Sequence, residues 1–488
     1  IATVLACFFL GLGIGSALGG RVALRVKSPA LAYAVLEVGV ALWAFASLWA
    51  LPELHRVYAA LGAGQPFAVL TLIRFVLCLP VLLPPTIAMG ATLPILVRAT
   101  SEWGVERAHT EGANELGWGS EATWLYSTNT LGAVFGAGAS GFYLLPEWGA
   151  RLSLVGAAFA SLVAAAIVLI ARRMHARWTP AHVDLDPFAN PHDGETAPPG
   201  DGSVALSLPK RAYVAASLAG GAGLASLASE VLWTRVLRTI VQGTTQAFAA
   251  MLVNYLLGIG VGALLADRLV RGGRSPLRVF GVCQLLLAML VGFAIAAVPQ
   301  LPRLIVMLHG TPVTIPHEVS VLMIVSSLLL LPLALVLGTS IPLAWQMVRD
   351  DSAHAAGHAG RVLAFNTLGG LLGSLLAGFV LVPAIGVERA LYLVIGLHAL
   401  LASLALALSG TRLPRRVFGA LVPVLAVLCI VALRPSLQLA WLLDAWHDGN
   451  ATAVSGPERG EPCQNGTCDG EAVCIEGHCN DTVRFMRE

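Results

Sequence analysis

Apolar residues fill this chain in runs of about twenty, and polar residues collect in the short stretches between them. About twenty apolar residues is the length a helix needs to cross the hydrocarbon of a bilayer. The pattern predicts helical spans at 2–20, 30–50, 67–97, 122–145, 150–171, 211–232, 245–266, 276–298, 318–347, 362–382, 387–409 and 417–433. The spans at 67–97 and 318–347 are long and contain prolines, which predicts kinks or tilt.

The order of polar and small residues repeats. Asn129-Thr130-Leu131-Gly132 leads through Gly136 and Gly141-Phe142 to Pro146 and Gly149. Asn366-Thr367-Leu368-Gly369 leads through Gly373 and Gly378-Phe379 to Pro383 and Gly386 with the same spacings. Upstream, Pro84, Gly90, Thr92 and Pro94 match Pro332, Gly338, Ser340 and Pro342. Further upstream, Gly11-x-Gly13-x-Gly15 matches Gly258-x-Gly260-x-Gly262. Three anchors in one order predict a duplicated helical bundle, an organisation typical of membrane transporters, with a site where the halves meet.

The expected architecture is an all-α membrane protein built as a duplicated six-helix bundle. Residues 1–173 form an N-terminal half of five spans, and 210–411 form a C-terminal half of six. The span at 211–232 precedes the second Gly-x-Gly-x-Gly helix and has no counterpart before the first. A first helix is therefore expected to be missing from the N-terminal half. Residues 174–209, rich in Pro, Asp, His and Gly, read as a flexible cytoplasmic linker. Residues 412–434 supply an additional transmembrane helix, and 435–488 a Cys-containing tail.

Composition agrees with a membrane protein. The chain is 57% hydrophobic and 12% charged, against about 25% charged residues in a soluble domain. A net charge of +2 argues against a nucleic-acid partner. Placing Arg21, Arg25 and Lys27 inside puts nineteen Lys and Arg in the cytoplasmic loops and six in the opposite loops, as the positive-inside rule requires. The expected setting is a bacterial inner membrane with the tail extracytoplasmic. There Cys463, Cys468, Cys474 and Cys479 are candidates for two disulfides, with three connectivities open. Zinc is the weaker reading, because ribbons favour tighter knuckles. Cys7, Cys78, Cys283 and Cys429 lie in apolar spans and read as small core residues.

Ionisable and amide side chains inside apolar spans are costly and mark candidate pathways. Glu37 lies in mid-span, and its repeat partner is Gln284. Arg74 lies near the outer end of the third span. Glu230 lies near the end of its span, as a site or as half of an ion pair with Arg235. Asn129 and Asn366 read as glue between helices or as solute contacts. These six residues are the substrate or proton pathway candidates, with Glu37 and Glu230 foremost. Pro94 and Pro342 are expected to break helices and free backbone groups. Asp267, Arg268 and Arg271, with Arg274, cap a helix at the cytoplasmic face and resemble the loop motif of the major facilitator superfamily. The first half has Gly20 where the second has Asp267. The glycine triplets read as close helix packing rather than nucleotide loops. His354 and His358 have metal-compatible spacing, but two histidines in a polar loop read as solvated side chains.

The run Gly220-Gly221-x-Gly223-Leu-Ala-Ser226-Leu-x2-Glu230-x2-Trp233-x-Arg235 resembles the opening helix motif of membrane-bound spermidine synthase-like proteins. Met89-Gly90-Ala91-Thr92-Leu93-Pro94 and Tyr126-x2-Asn129-Thr130-x-Gly132 fit the same pattern, and the resemblance covers roughly 1–433. It implies a major-facilitator-like bundle fused to a polyamine aminopropyltransferase domain. The ending, Val483 to Glu488, resembles the first strand of that domain. No catalytic residue and no cofactor are assigned to this chain. Decarboxylated S-adenosylmethionine would be the co-substrate if a synthase domain follows, and the four-Cys insert departs from the family pattern. The implied role is solute movement linked to polyamines, with the bilayer and a small cationic solute as partners. The alternatives are a secondary transporter of an unrelated solute and a non-transporting anchor for an extracytoplasmic domain.

Overall fold

The computed structural model describes residues 2–111, 118–178, 208–240, 245–301, 304, 315–351, 354–409, 421–427, 429–430, 473–475 and 478–480. The first half comprises α1 (Ala2–Ala23), α2 (Pro29–Gly62), α3 (Phe67–Glu111), α4 (Trp118–Ala139) and α5 (Gly149–Trp178). The second comprises α6 (Leu208–Ile240), α7 (Thr245–Val270), α8 (Pro276–Ala297), α9 (Ile315–Gly338), α10 (Ser340–Gln346), α11 (Ala355–Leu375) and α12 (Val382–Ser409). Helix thus enters both ends of the segment assigned as linker, and 179–207 lie outside the described residues.

Nine helical runs among the described residues are long and apolar enough to cross a membrane. This is the signature of a multi-pass membrane protein. The outer surface agrees, since Trp49, Phe135 and Phe293 are 79%, 79% and 73% exposed, a cost in water that lipid removes. Two of the runs, Trp118–Met174 and Ala355–Ser409, hold 57 and 55 residues, far more than one crossing needs. Each is interrupted by a glycine with positive φ, Gly149 at 69° and Gly386 at 81°, a conformation that a Cβ resists. Just before each glycine the helix widens to π geometry, over Ser140–Trp148 and Leu376–Leu381.

Equivalent helices pair in the same way within the two halves. Helix α1 packs along α3 as α7 packs along α9, and α2 packs along α5 as α8 packs along α12. Small residues make the close approaches possible. A methyl group on Gly15 would run into the carbonyl oxygen of Ile87, and one on Gly262 into that of Leu335. Gly90 meets the carbonyl of Leu12, and Gly338 that of Ile259. Helices α2 and α8 both begin at a Ser-Pro pair, Ser28-Pro29 and Ser275-Pro276. Proline suits the first turn because its missing N–H has no helical partner there.

The expectation that both Pro94 and Pro342 break helices holds for neither as stated. Pro94 lies inside the continuous helix α3, along with Pro80, Pro84 and Pro85. In the second half the interruption falls at Thr339, between α9 and α10. Pro342 then lies in the first turn of α10, where its missing N–H costs little.

The halves meet through α1 on α11 and α4 on α7. Gly13 approaches Leu368 at 3.2 Å, and Gly260 approaches Leu131 at 3.0 Å, measured from a Cβ position on each glycine. At the end rich in Lys and Arg, one buried cluster draws on both halves, with Val97, Trp118 and Ala122 against Ala215, Ile341 and Trp345. Residues 421–427 and 429–430 are helical, and Ile430 packs on Gly292 of α8. In the tail, β1 (Val473–Ile475) pairs antiparallel with β2 (His478–Asn480), which sets Cys474 opposite Cys479. Cys463 and Cys468 lie outside the described residues.

Candidate functional site

The arginine-rich face carries the first polar cluster. Asp267, in the last turn of α7, accepts a hydrogen bond of 2.9 Å from the Gln346 amide at the end of α10. The same amide lies 3.5 Å from the Ser120 hydroxyl on α4, in the other half. Asp267 and Gln346 thus link α7 and α10 of one half to α4 of the other. Arg271 lies near this carboxylate, and Arg268 and Arg271 are both exposed. In the matching corner of the first half the polar contact is of another kind, with Arg98 donating to the Ala23 carbonyl at 3.2 Å. Gly20 stands there, 3.0 Å from the Ala356 carbonyl and 3.3 Å from Gly360, again from a Cβ position.

Beside this corner, Asp351 accepts from two rings, His354 Nδ1 and His358 Nε2, each at 2.9 Å. Burial alone would raise the Asp351 pKa; the hydrogen bonds from His358 and His354 outweigh it and hold the carboxyl below its usual range. His358 is buried and stacks on Trp118 of the other half at 6.3 Å. The expectation of solvated histidines thus fits only His354. Among the described residues no group of three His, Cys, Asp or Glu is arranged to hold a metal ion.

The pathway candidates occupy different environments. Glu37 is half-buried on α2, on the stripe that carries the buried Ala34 and Ala41, and shares a hydrogen bond with Tyr33 one turn earlier. Helix α2 packs on α3 and α5. Gln284 is fully buried; it donates to Ser340 at 3.2 Å and accepts from His398 Nδ1 at 2.7 Å. Arg74 is exposed and lies over the Tyr58 ring at 5.1 Å, with Nε donating to its hydroxyl at 2.8 Å. That is the posture of an interfacial anchor. Asn129 is exposed, whereas Asn366 is half-buried and lies against Gly223 of α6.

Glu230 differs from the others. It is half-buried on α6, one turn beyond Ser226, and makes no ion pair with Arg235. The Ser226 hydroxyl lies 2.6 Å from the Tyr255 hydroxyl on α7. Tyr255 also lies close to Glu230 and to Tyr126 of α4. Tyr126 in turn meets Trp345 edge-on at 5.8 Å.

Ser226, Tyr255, Tyr126, Gln346, Ser120 and His398 were not singled out from the sequence as site residues. Their signal is a polar side chain at a helical position otherwise surrounded by apolar ones. That signal does not say which face of the helix is inside. Asn254 shows the ambiguity: buried on α7, it is satisfied by Ser326 at 2.8 Å and Ser327 at 2.7 Å, and so serves as glue between α7 and α9.

No protein-family model matches the chain, and no curated protein matches it.

Proposed function

We propose that this chain is the major-facilitator-like membrane part of a spermidine synthase-like protein, and that it moves a small organic cation by alternating access. The observation that carries the reading is the reciprocal seam. Gly13 of the first half meets Leu368 of the second, and Gly260 of the second meets Leu131 of the first. A pair of halves that exchange the same contact supports a two-fold axis along the membrane normal, about which they can rock. The matched breaks at Gly149 and Gly386 support the same axis. The Asp267–Gln346–Ser120 contact supports a gate on the cytoplasmic side, where the buried cluster of both halves closes the bundle. The polyamine link rests on the resemblance of residues 220–235, and on the carboxylate of Glu230 within an apolar helix.

The test is uptake of radiolabelled putrescine and spermidine by proteoliposomes holding the purified chain, with amino acids and sugars as competitors. Saturable uptake blocked by excess unlabelled polyamine supports the proposal. Uptake of a non-cationic solute alone favours the unrelated transporter. No uptake or exchange of any solute favours the anchor.

A further inference from the structure

A carboxylate in the interior of a membrane bundle normally has a cation or several donors beside it, because an unpaired charge in a low dielectric is costly. Glu230 has neither an ion-pair nor a hydrogen-bond partner among the described residues. Its surroundings are nonetheless polar on one side. Ser226 lies one turn earlier on the same face of α6, since residues four apart on a helix are neighbours. Tyr255 reaches that face from α7, with its hydroxyl 2.6 Å from the Ser226 hydroxyl and 3.3 Å from the Ser226 carbonyl. The phenol is thereby held in place beside the carboxylate. Tyr126 lies on α4, the helix of the other half that packs along α7, and its edge-on contact with buried Trp345 fixes its ring.

One anion flanked by hydroxyls and aromatic faces suits a particular ligand. A hard metal ion asks for about six oxygen ligands, and among the described residues no group of three His, Cys, Asp or Glu is arranged to hold one. An alkylammonium needs less: one carboxylate for charge, a few oxygens for its N–H groups, and aromatic faces for its methylenes and its cation–π attraction. The site also joins both halves, as alternating access requires of a substrate site. At Glu37 the hydroxyl partner, Tyr33, lies on α2 itself, one turn earlier, rather than on a neighbouring helix.

We propose that Glu230, Tyr255 and Tyr126 bind one ammonium group of a linear organic diamine or polyamine at the junction of the halves. The inference rests on the transport reading above and names its site. The test is equilibrium binding of radiolabelled spermidine to the purified full chain in detergent, run beside proteoliposome exchange. The expected result is saturable binding at one site. Glu230→Gln should weaken it about tenfold or more, as loss of a charge-assisted contact does. Tyr255→Phe should weaken it severalfold, and Glu37→Gln should leave it within about twofold. Because Glu230→Gln could disturb folding, a second arm places a cysteine by Ser226→Cys and asks whether spermidine slows its alkylation by a maleimide. Protection supports the site. Exchange of spermidine by the wild type, with binding unaffected by Glu230→Gln and no protection at position 226, overturns the site and leaves the transport reading standing. Absence of both binding and exchange in the wild type overturns the two together.

Discussion

Gln346 and Asp267 are joined by a hydrogen bond of 2.9 Å at the Lys- and Arg-rich end of the bundle. Its acceptor is a carboxylate, so the bond belongs to the stronger class, about 1.5–3 kcal/mol. Gln346→Leu should lower thermal stability in detergent by about that amount. It should also loosen the contact with α4, so that a cysteine at Ser120 reacts faster with a membrane-impermeant maleimide in inside-out vesicles. Unchanged reactivity at position 120 would mean that the bond does not hold the halves together.

The glycines divide into two groups with opposite expectations. At Gly15 and Gly262 an added side chain meets backbone carbonyls, which cannot yield as a side chain can. Gly15→Val and Gly262→Val should each cost at least about 1–3 kcal/mol by overpacking. At Gly39, inside α2, nothing lies within 4 Å of a Cβ position. Gly39→Ala should be neutral or stabilising by up to about 1 kcal/mol, the usual gain from replacing a helical glycine. Thermal melts of the three variants check the division.

Asp351 should make the fold acid-sensitive. Its carboxyl is held below the ordinary carboxylate range in the folded protein, because the donors on His358 and His354 outweigh the effect of burial. A depressed folded pKa contributes stability at pH values above the unfolded one, about 3.9. That contribution is lost as pH falls from there through the folded value. Melting temperatures measured from pH 7 down to pH 3 should drop steeply below about pH 4, and Asp351→Asn should flatten that part of the curve. An equally steep drop in the variant would assign the acid sensitivity elsewhere.

Transport should separate the two acidic candidates. Glu37→Gln keeps a side chain able to bond Tyr33 and leaves the junction of the halves untouched, so exchange should fall only modestly. Glu230→Gln should abolish it. The sequence alone favours the opposite order, since Glu37 is deeper in its span. Depth was legible; which neighbouring helix brings a hydroxyl to the acid was not.

The tail should carry Cys474 joined to Cys479. The antiparallel register sets these two opposite each other, and directly opposed residues lie within the Cα separation a disulfide spans. Peptide mapping without reduction should find this pair, with Cys463 joined to Cys468. A crossed connectivity, four free thiols or stoichiometric zinc would contradict it.

The helical spans could be read from the sequence because a bilayer demands about twenty apolar residues in one stretch, whatever the fold. The glycine triplets could be read as packing surfaces for a similar reason: in a membrane helix only close backbone approach explains such small side chains at regular spacing. The roles of individual polar residues were less legible. Arg74, Glu37 and Glu230 look alike as charges in apolar runs, yet one lies exposed on a tyrosine, one is half-buried beside a tyrosine of its own helix, and one is half-buried a turn from Ser226, the hydroxyl that Tyr255 of α7 reaches. Their rotation about the helix axis decides this, and weak amphipathicity leaves that rotation unmarked when both lipid and core are apolar. His358 was misjudged for a related reason. The segment around it is polar in composition, but it lies in the first turn of α11, where Trp118, distant in sequence, covers it.

The crossed contacts Gly13–Leu368 and Gly260–Leu131 bear on ancestry. If one half once existed alone, both contacts were a single one, made twice in a parallel homodimer. Any mutation there was then felt at two places at once. Fusion into one chain released that constraint. The corner that keeps Asp267 and the corner that holds Gly20 could then drift apart, one toward a polar latch and the other toward bare backbone contact. The same freedom would let the repeat partners Glu37 and Gln284 take different chemistry, a half-buried acid in one half and a fully buried amide in the other.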